Sequence, residues 1–171
     1  MNLRRAITAL LAVLGIAFAC SSPASAGGLY FGINLELVGG PQREPFISGF
    51  SILPLPFPGA QIGYDFGEGT SGFGARLSFN YFIFGQLALD GYYRLGMDQS
   101  GDSAYFGGGA EYQFVAFDTI TNFYGLHALI GYEWRLTTNL AVFLEATPGI
   151  LFWTGGPSFA VALRSGLLLR F

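Results

Sequence analysis

Lysine is absent from this chain of 171 residues, and all eight of its basic side chains are arginine. Charge of either sign is scarce, at 11% of residues, and there is one cysteine and one histidine. Each shortage excludes something. Beyond residue 26 no apolar run reaches 18 residues, so the chain is not a helical membrane protein, whose spans need about 20 such residues. Beyond Cys20 no thiol remains, so neither a disulfide framework nor thiol chemistry is available there. A lone histidine with no cysteine at ligand spacing offers no zinc site, and no cofactor is expected. Residues 27–171 hold six arginines against eleven acids, a net charge of −5. That balance excludes the basic footprint of a nucleic-acid binder.

What is abundant is apolar, aromatic and small: 51% hydrophobic residues, 17% aromatic, and 26 glycines. The first residues read as an export signal. Arg4 and Arg5 precede the apolar stretch Ala6 to Ala19, too short to span a bilayer as a helix, and Ala24-Ser25-Ala26 fits a cleavage site. The expected division is a cleaved signal over 1–26 and one domain over 27–171. Cys20 follows Ala17-Phe18-Ala19, without the leucine that would favour a lipid attachment site, so it is expected to leave with the signal.

The dominant period in the remaining chain is two. Leu29, Phe31, Ile33, Leu35 and Leu37 alternate with Tyr30, Gly32, Asn34 and Glu36. The same alternation recurs over 59–66, 72–84, 87–97, 106–114, 124–134, 140–147 and 159–171. Eight such strands predict an all-β fold, an eight-stranded antiparallel up-and-down transmembrane β-barrel. Polar turns at 67–71, 98–102 and 135–139 join them on one side. On the other side lie the Pro-rich stretch 39–58, a short connection near Gly85, a loop over 115–121 and a Gly/Pro loop over 148–157. Short turns on one side with longer loops on the other suit an outer-membrane barrel.

Ten charges share the polar strand face: Glu36, Asp65, Arg76, Asp90, Arg94, Glu111, Glu133, Glu145, Arg164 and Arg170. Slipping the register by one residue would turn them to lipid. One arginine at the midplane costs about 2–4 kcal/mol, so four would cost about 10 kcal/mol, comparable with the stability of a whole domain. The charges are therefore expected to face the lumen and pair there, because a lone buried charge is very unfavourable. An eight-stranded barrel has room for little beyond its own side chains. The leading expectation is a structural ion-pair plug; a narrow small-solute pore is the alternative.

His127 lies on the same inward face, near Glu111, Glu133 and Glu145. Hydrolytic catalysis would need a nucleophile beside it, and the inward Ser78 falls on a non-neighbouring strand. A satisfied luminal histidine is the expectation, with a lipid-modifying enzyme centred on His127 as the rival. Gly67-Glu68-Gly69-Thr70-Ser71-Gly72 matches G-x-G-x-x-G but joins two strands rather than opening a helix, so it reads as a turn. The stretch 39–58 is unusually apolar for an exposed loop, and Phe46, Ile47, Phe50, Leu53, Leu55 and Phe57 are its candidate contact residues for a surface ligand.

The last residues, Val161-Ala162-Leu163-Arg164-Ser165-Gly166-Leu167-Leu168-Leu169-Arg170-Phe171, end on an aromatic with apolar residues at every second position before it. This resembles the C-terminal signal read by the barrel-assembly machinery of Gram-negative outer-membrane proteins, with Leu167, Leu169 and Phe171 as its matching positions. Together with eight strands and a signal peptide, the chain resembles the small OmpA/OmpX-type barrel family. That resemblance implies residence in the outer membrane and contact with its lipid. It leaves the role open among adhesion, envelope anchoring, lipid-A modification and small pores. His127 is followed by Ala128 and Leu129, so the His-x-Ser pair of the lipid-A deacylases is missing. The expected function is a non-enzymatic outer-membrane barrel with a structural or surface-interaction role.

Overall fold

The computed structural model describes residues 28–42, 49–52, 57–66, 71–81, 84–97, 101–116, 120–153 and 156–171. The expected signal peptide and cleavage site lie outside them, as do Phe46, Ile47, Leu53 and Leu55. The described strands are β1 (Gly28–Gln42), β2 (Gly49–Ile52), β3 (Phe57–Asp65), β4 (Gly72–Tyr81), β5 (Phe84–Gly96), β6 (Ser103–Ala116), β7 (Ile120–Arg135), β8 (Leu140–Trp153) and β9 (Gly156–Arg170).

Every pairing is antiparallel, and β1 also pairs with β9, from Tyr30↔Arg170 to Gly39↔Val161. The sheet thus closes into an eight-stranded barrel and leaves no open edge along its wall, the condition for crossing a bilayer with strands. Strand β2 is extra: it pairs only with the end of β1, from Gly39↔Ile52 to Gln42↔Gly49. The described ends of the barrel differ. Both ends of the described chain and the short turns lie at one end, here the turn end; the opposite end is the loop end.

The long loops of the sequence reading are corrected. Within 39–58, residues Gly39–Gln42 prolong β1, Gly49–Ile52 form β2, and Phe57 and Pro58 open β3 opposite Glu36 and Leu35. Pro58 is tolerated because β3 meets β4 only from Gly59 onward, so no ladder bond is lost on that side. The expected loop over 148–157 is mostly strand as well. Pro148 stays paired with Val161 on β9, while the ladder to β7 skips the two positions between His127↔Gly149 and Ile130↔Ala146. The missing proline donor falls in that gap. Gly85 lies in β5, paired with Tyr81, and β6 and β7 run on to Ala116 and Ile120. Proline and glycine therefore interrupt the strands less than their turn preference suggested, because Pro58 and Pro148 each sit beside a gap in the ladder.

The alternation decides the two faces. Leu29, Ile33, Ile62, Leu89, Leu126 and Ile130 are exposed on the outer wall, while Glu36, Arg76, Asp90, Glu145 and Arg164 are buried within it. Outward aromatics touch one another across strands and along them. Tyr93 packs on Phe73 at 4.9 Å and on Phe106 at 6.0 Å between ring centroids, and Tyr132 meets Trp134 at 4.8 Å.

Inside, the turn-end half is filled by Tyr30, Tyr92, Tyr105, Leu129, Phe143 and Leu168. Three of the rings lie over inward glycines of a neighbouring strand. A Cβ added to Gly63 would stand 2.3 Å from Tyr30, one on Gly74 2.4 Å from Tyr92, and one on Gly131 2.3 Å from Tyr105. The glycines are needed for this close approach of a ring to the wall.

Candidate functional site

The lumen gathers the polar chemistry of the chain. Arg76, in mid-β4, faces Asp90 on β5 in the ladder. Its Nε and Nη2 donate to Asp90 Oδ2 at 2.8 and 2.6 Å. The other side of the same guanidinium donates to both oxygens of Glu145, at 2.7 and 3.0 Å. Glu145 belongs to β8, four strands away around a ring of eight, so Arg76 bridges opposite walls.

Glu145 Oε1 also accepts from Arg164 Nη1 at 3.3 Å. Arg164 in turn holds Glu36 Oε2 through Nε at 2.8 Å and Nη2 at 2.7 Å. At the other end, His127 Nε2 lies 2.8 Å from Asp90 Oδ1. The result is a row that alternates acid and base: Glu36, Arg164, Glu145, Arg76, Asp90, His127. Alternation compensates each buried charge with neighbours of opposite sign, which is what makes such burial tolerable.

Two further clusters flank this row. Toward the turn end, Arg170 donates to Glu133 from Nε at 2.8 Å and Nη2 at 2.6 Å, and from Nη1 to Asp65. Arg94 Nη1 lies 3.1 Å from Asp65. The Tyr92 hydroxyl donates to Asp65 at 2.7 Å and lies 2.9 Å from the Tyr30 hydroxyl. The Arg170 guanidinium stands 5.1 Å from the centre of the Tyr30 ring. Toward the loop end, Asn80 Nδ2 donates to Glu36 at 2.7 Å and to Gln86 at 2.8 Å. Gln86 donates on to Glu111, which also accepts from Gln113 at 3.2 Å. Asn34 Nδ2 donates to Asn80 Oδ1 at 2.7 Å.

All eleven residues named from the sequence as a luminal network therefore line the lumen. Nine are buried; Glu111 and His127 are half-buried. Glu111 is set apart, held by amides rather than by an arginine in the described bonds. The amides Asn34, Asn80 and Gln86 and the tyrosines Tyr30 and Tyr92 belong to the same network and were not among the named site residues. Their signal was present, since all five continue the inward alternation. Leu129, Phe143 and Leu168 also face inward, and there the signal fails, because each has apolar neighbours on both sides.

The other named positions fall elsewhere. Phe57 is 1% exposed, so it is a buried residue of β3 and not a surface contact; it stands opposite the luminal Glu36 in the ladder and shares its inward face. Phe50 lies in β2. Leu167 is exposed on the outer wall, and Leu169 and Phe171 are half-buried. The backbone N–H of Phe171 donates to the carbonyl of Leu29 at 2.9 Å, so the terminal residue fastens the last strand to the first.

Chemically, the arrangement is suited to closing the barrel. His127 uses Nε2 toward Asp90, and its Nδ1 makes no hydrogen bond to the described residues, so no hydroxyl is activated by it there. Among the described residues no group of three or more His, Cys, Asp or Glu could hold a metal ion.

No protein-family model matches the chain, and no curated protein matches it significantly. Solved structures do. Neisserial surface protein A is 16% identical, with a TM-score of 0.58 over 84% of this chain and 97% of that one. Ail, the attachment invasion locus protein of Yersinia pestis, is 12% identical, with a TM-score of 0.52 over 85% of this chain and 97% of that one. At these identities the likeness is one of fold, and it covers nearly the full length of both neighbours. With a closed ring of eight antiparallel strands, an apolar outer wall and a charged lumen, the chain has the transmembrane β-barrel fold of the small OmpA/OmpX-type outer-membrane proteins.

Proposed function

We propose that this protein is a non-enzymatic outer-membrane barrel, shut by its luminal ion pairs, that makes surface contacts at its loop end. The observation that carries the closed lumen is the bridge of Arg76 to Asp90 and Glu145 on opposite walls. A guanidinium held by four hydrogen bonds across an already narrow barrel leaves no continuous aqueous path at that level. Lipid is the partner of the outer wall, and the barrel-assembly machinery is the partner of Leu167, Leu169 and Phe171. The two similar structures carry the names surface protein and attachment protein, which supports a contact role here.

One of those neighbours was solved in complex with the heparin analogue sucrose octasulfate. A polyanion of that kind suits this chain poorly. The segments joining strands at the loop end hold Arg43 as their one basic residue, against Glu44 and Asp118. They are instead rich in Phe, Ile and Leu, so the contact proposed for residues 39–58 is apolar.

Three measurements test the reading. Protein shown to be folded should give no discrete current steps in planar bilayers; steps from wild-type protein would refute a closed lumen. Lipid-A mass spectra should be the same with and without overexpression, and a mass change abolished by His127→Ala would make the protein an enzyme. Replacing Phe46, Ile47, Leu53 and Leu55 with serine should lower attachment of expressing bacteria to epithelial monolayers while heat-modifiable mobility persists. Unchanged attachment would remove the contact role from this loop.

A further inference from the structure

Between the central ion-pair row and the turn-end cluster lies a side chain whose polar atoms are all unsatisfied. Gln61 on β3 is 2% exposed, and neither Oε1 nor Nε2 bonds to any described residue. Orphaned polar atoms at this depth are rare, because each forfeits its hydration without recompense. A donor and an acceptor left unmet on one amide call for a guest that both accepts and donates.

The space for one is present. Gln61 lines a cavity of about 10 Å³ together with Tyr30, Tyr92, Arg76, Arg94 and Glu133. That is room for one water, and the lining is polar enough to hold one. The Gln61 amide also lies over Gly32, where an added Cβ would stand 2.8 Å from Nε2. The glycine thus lets the amide lie close against the wall beside the cavity.

We infer that Gln61 holds a buried structural water in this cavity. Chemistry selects water over an ion. An anion would accept from Nε2 and leave Oε1 unmet, and a cation would meet the guanidinium groups of Arg76 and Arg94. Water donates and accepts, so it serves both ends of the amide. Such a water gives the lumen its polar continuity between the two ion-pair clusters without making it a passage.

Crystals of the detergent-refolded protein test this directly. The expected result is a solvent peak within about 3.2 Å of Gln61 Oε1 or Nε2 that is lost in Gln61→Met, a variant of similar volume, with heat-modifiable mobility retained. In solution, the Gln61 side-chain amide should show a magnetisation-transfer peak to long-lived water. Three results would overturn the inference: an anomalous peak at the site after bromide soaking, which makes it an anion site; a wild-type map in which Gln61 bonds to protein groups around an empty cavity; or a peak unchanged in Gln61→Met. The wild-type map and amide spectrum decide the matter even where the variant does not fold.

Discussion

The guanidinium of Arg164 grips a single oxygen of Glu36 with two nitrogens, at 2.8 and 2.7 Å, across the seam where the first and last strands of the barrel meet. The two residues are also ladder partners, Glu36↔Arg164, although 128 positions separate them. Closure of the barrel and neutralisation of one of its fully buried acids are thus one event. Replacing Arg164 with alanine should cost about 3–5 kcal/mol, the usual penalty for stranding one half of a buried pair. Glu36→Leu combined with Arg164→Met should cost clearly less than the sum of the single changes. Urea titration in lipid vesicles, followed by tryptophan fluorescence, measures both, and strict additivity would show the pair to be uncoupled.

Arg76 has a different expected phenotype, because it bridges walls rather than neighbours. In Arg76→Ala two buried acids lose a guanidinium, and the obstruction across the lumen goes with it. The expected outcome is lower stability, again by about 3–5 kcal/mol, together with ion current in planar bilayers that the wild type lacks. A folded Arg76→Ala barrel with no current would mean that other luminal side chains suffice to close it.

The three tyrosine–glycine contacts predict a position-dependent cost. Alanine at Gly63, Gly74 or Gly131 places a methyl group within 2.4 Å of a buried ring. Overpacking of this kind costs about 1–3 kcal/mol. Alanine at Gly91, where an added Cβ meets nothing within 4 Å, should be nearly neutral. Equal effects at Gly74 and Gly91 in the same urea titration would show that the rings yield freely.

Tyr92→Phe isolates the hydrogen-bond contribution of one hydroxyl. It removes the donor to Asp65 and the contact with Tyr30 while keeping the ring over Gly74. Asp65 retains Arg94 and Arg170, so the cost should stay near 1–2 kcal/mol. A loss as large as that of Arg164→Ala would mark Tyr92 as a keystone of the turn-end cluster.

Phe171→Ser separates assembly from stability. The tie to Leu29 runs through the backbone, N–H to carbonyl, and survives the change. Refolding into detergent should therefore be almost unaffected, whereas the amount of barrel in outer-membrane fractions of expressing cells should fall severalfold. Equal abundance of variant and wild type in those fractions would remove the recognition role from Phe171.

Much of this architecture is legible in the chain because a strand has a period of two. Arg76, Ser78 and Asn80 could only share one wall face, and the energetic cost of arginine in lipid assigned that face to the lumen. The reading weakened wherever the period lost contrast. In Leu167-Leu168-Leu169 the inward Leu168 is indistinguishable from its outward neighbours, and Leu129 and Phe143 are hidden in the same way. It erred at proline, because Pro58 and Pro148 look like breakers until the gaps in the ladders beside them are known.

By itself, then, the sequence determined that the chain forms alternating strands, that their charges point to one side, and that this side is shielded from lipid. Only the tertiary structure decided who pairs with whom. Arg76 and Glu145 are 69 residues apart, and no spacing announces them. They meet because eight tilted strands close into a ring, which brings the fourth strand after β4 onto the facing wall at the same height. A one-dimensional period specifies which face a side chain takes, and the closure of the sheet specifies what it finds there.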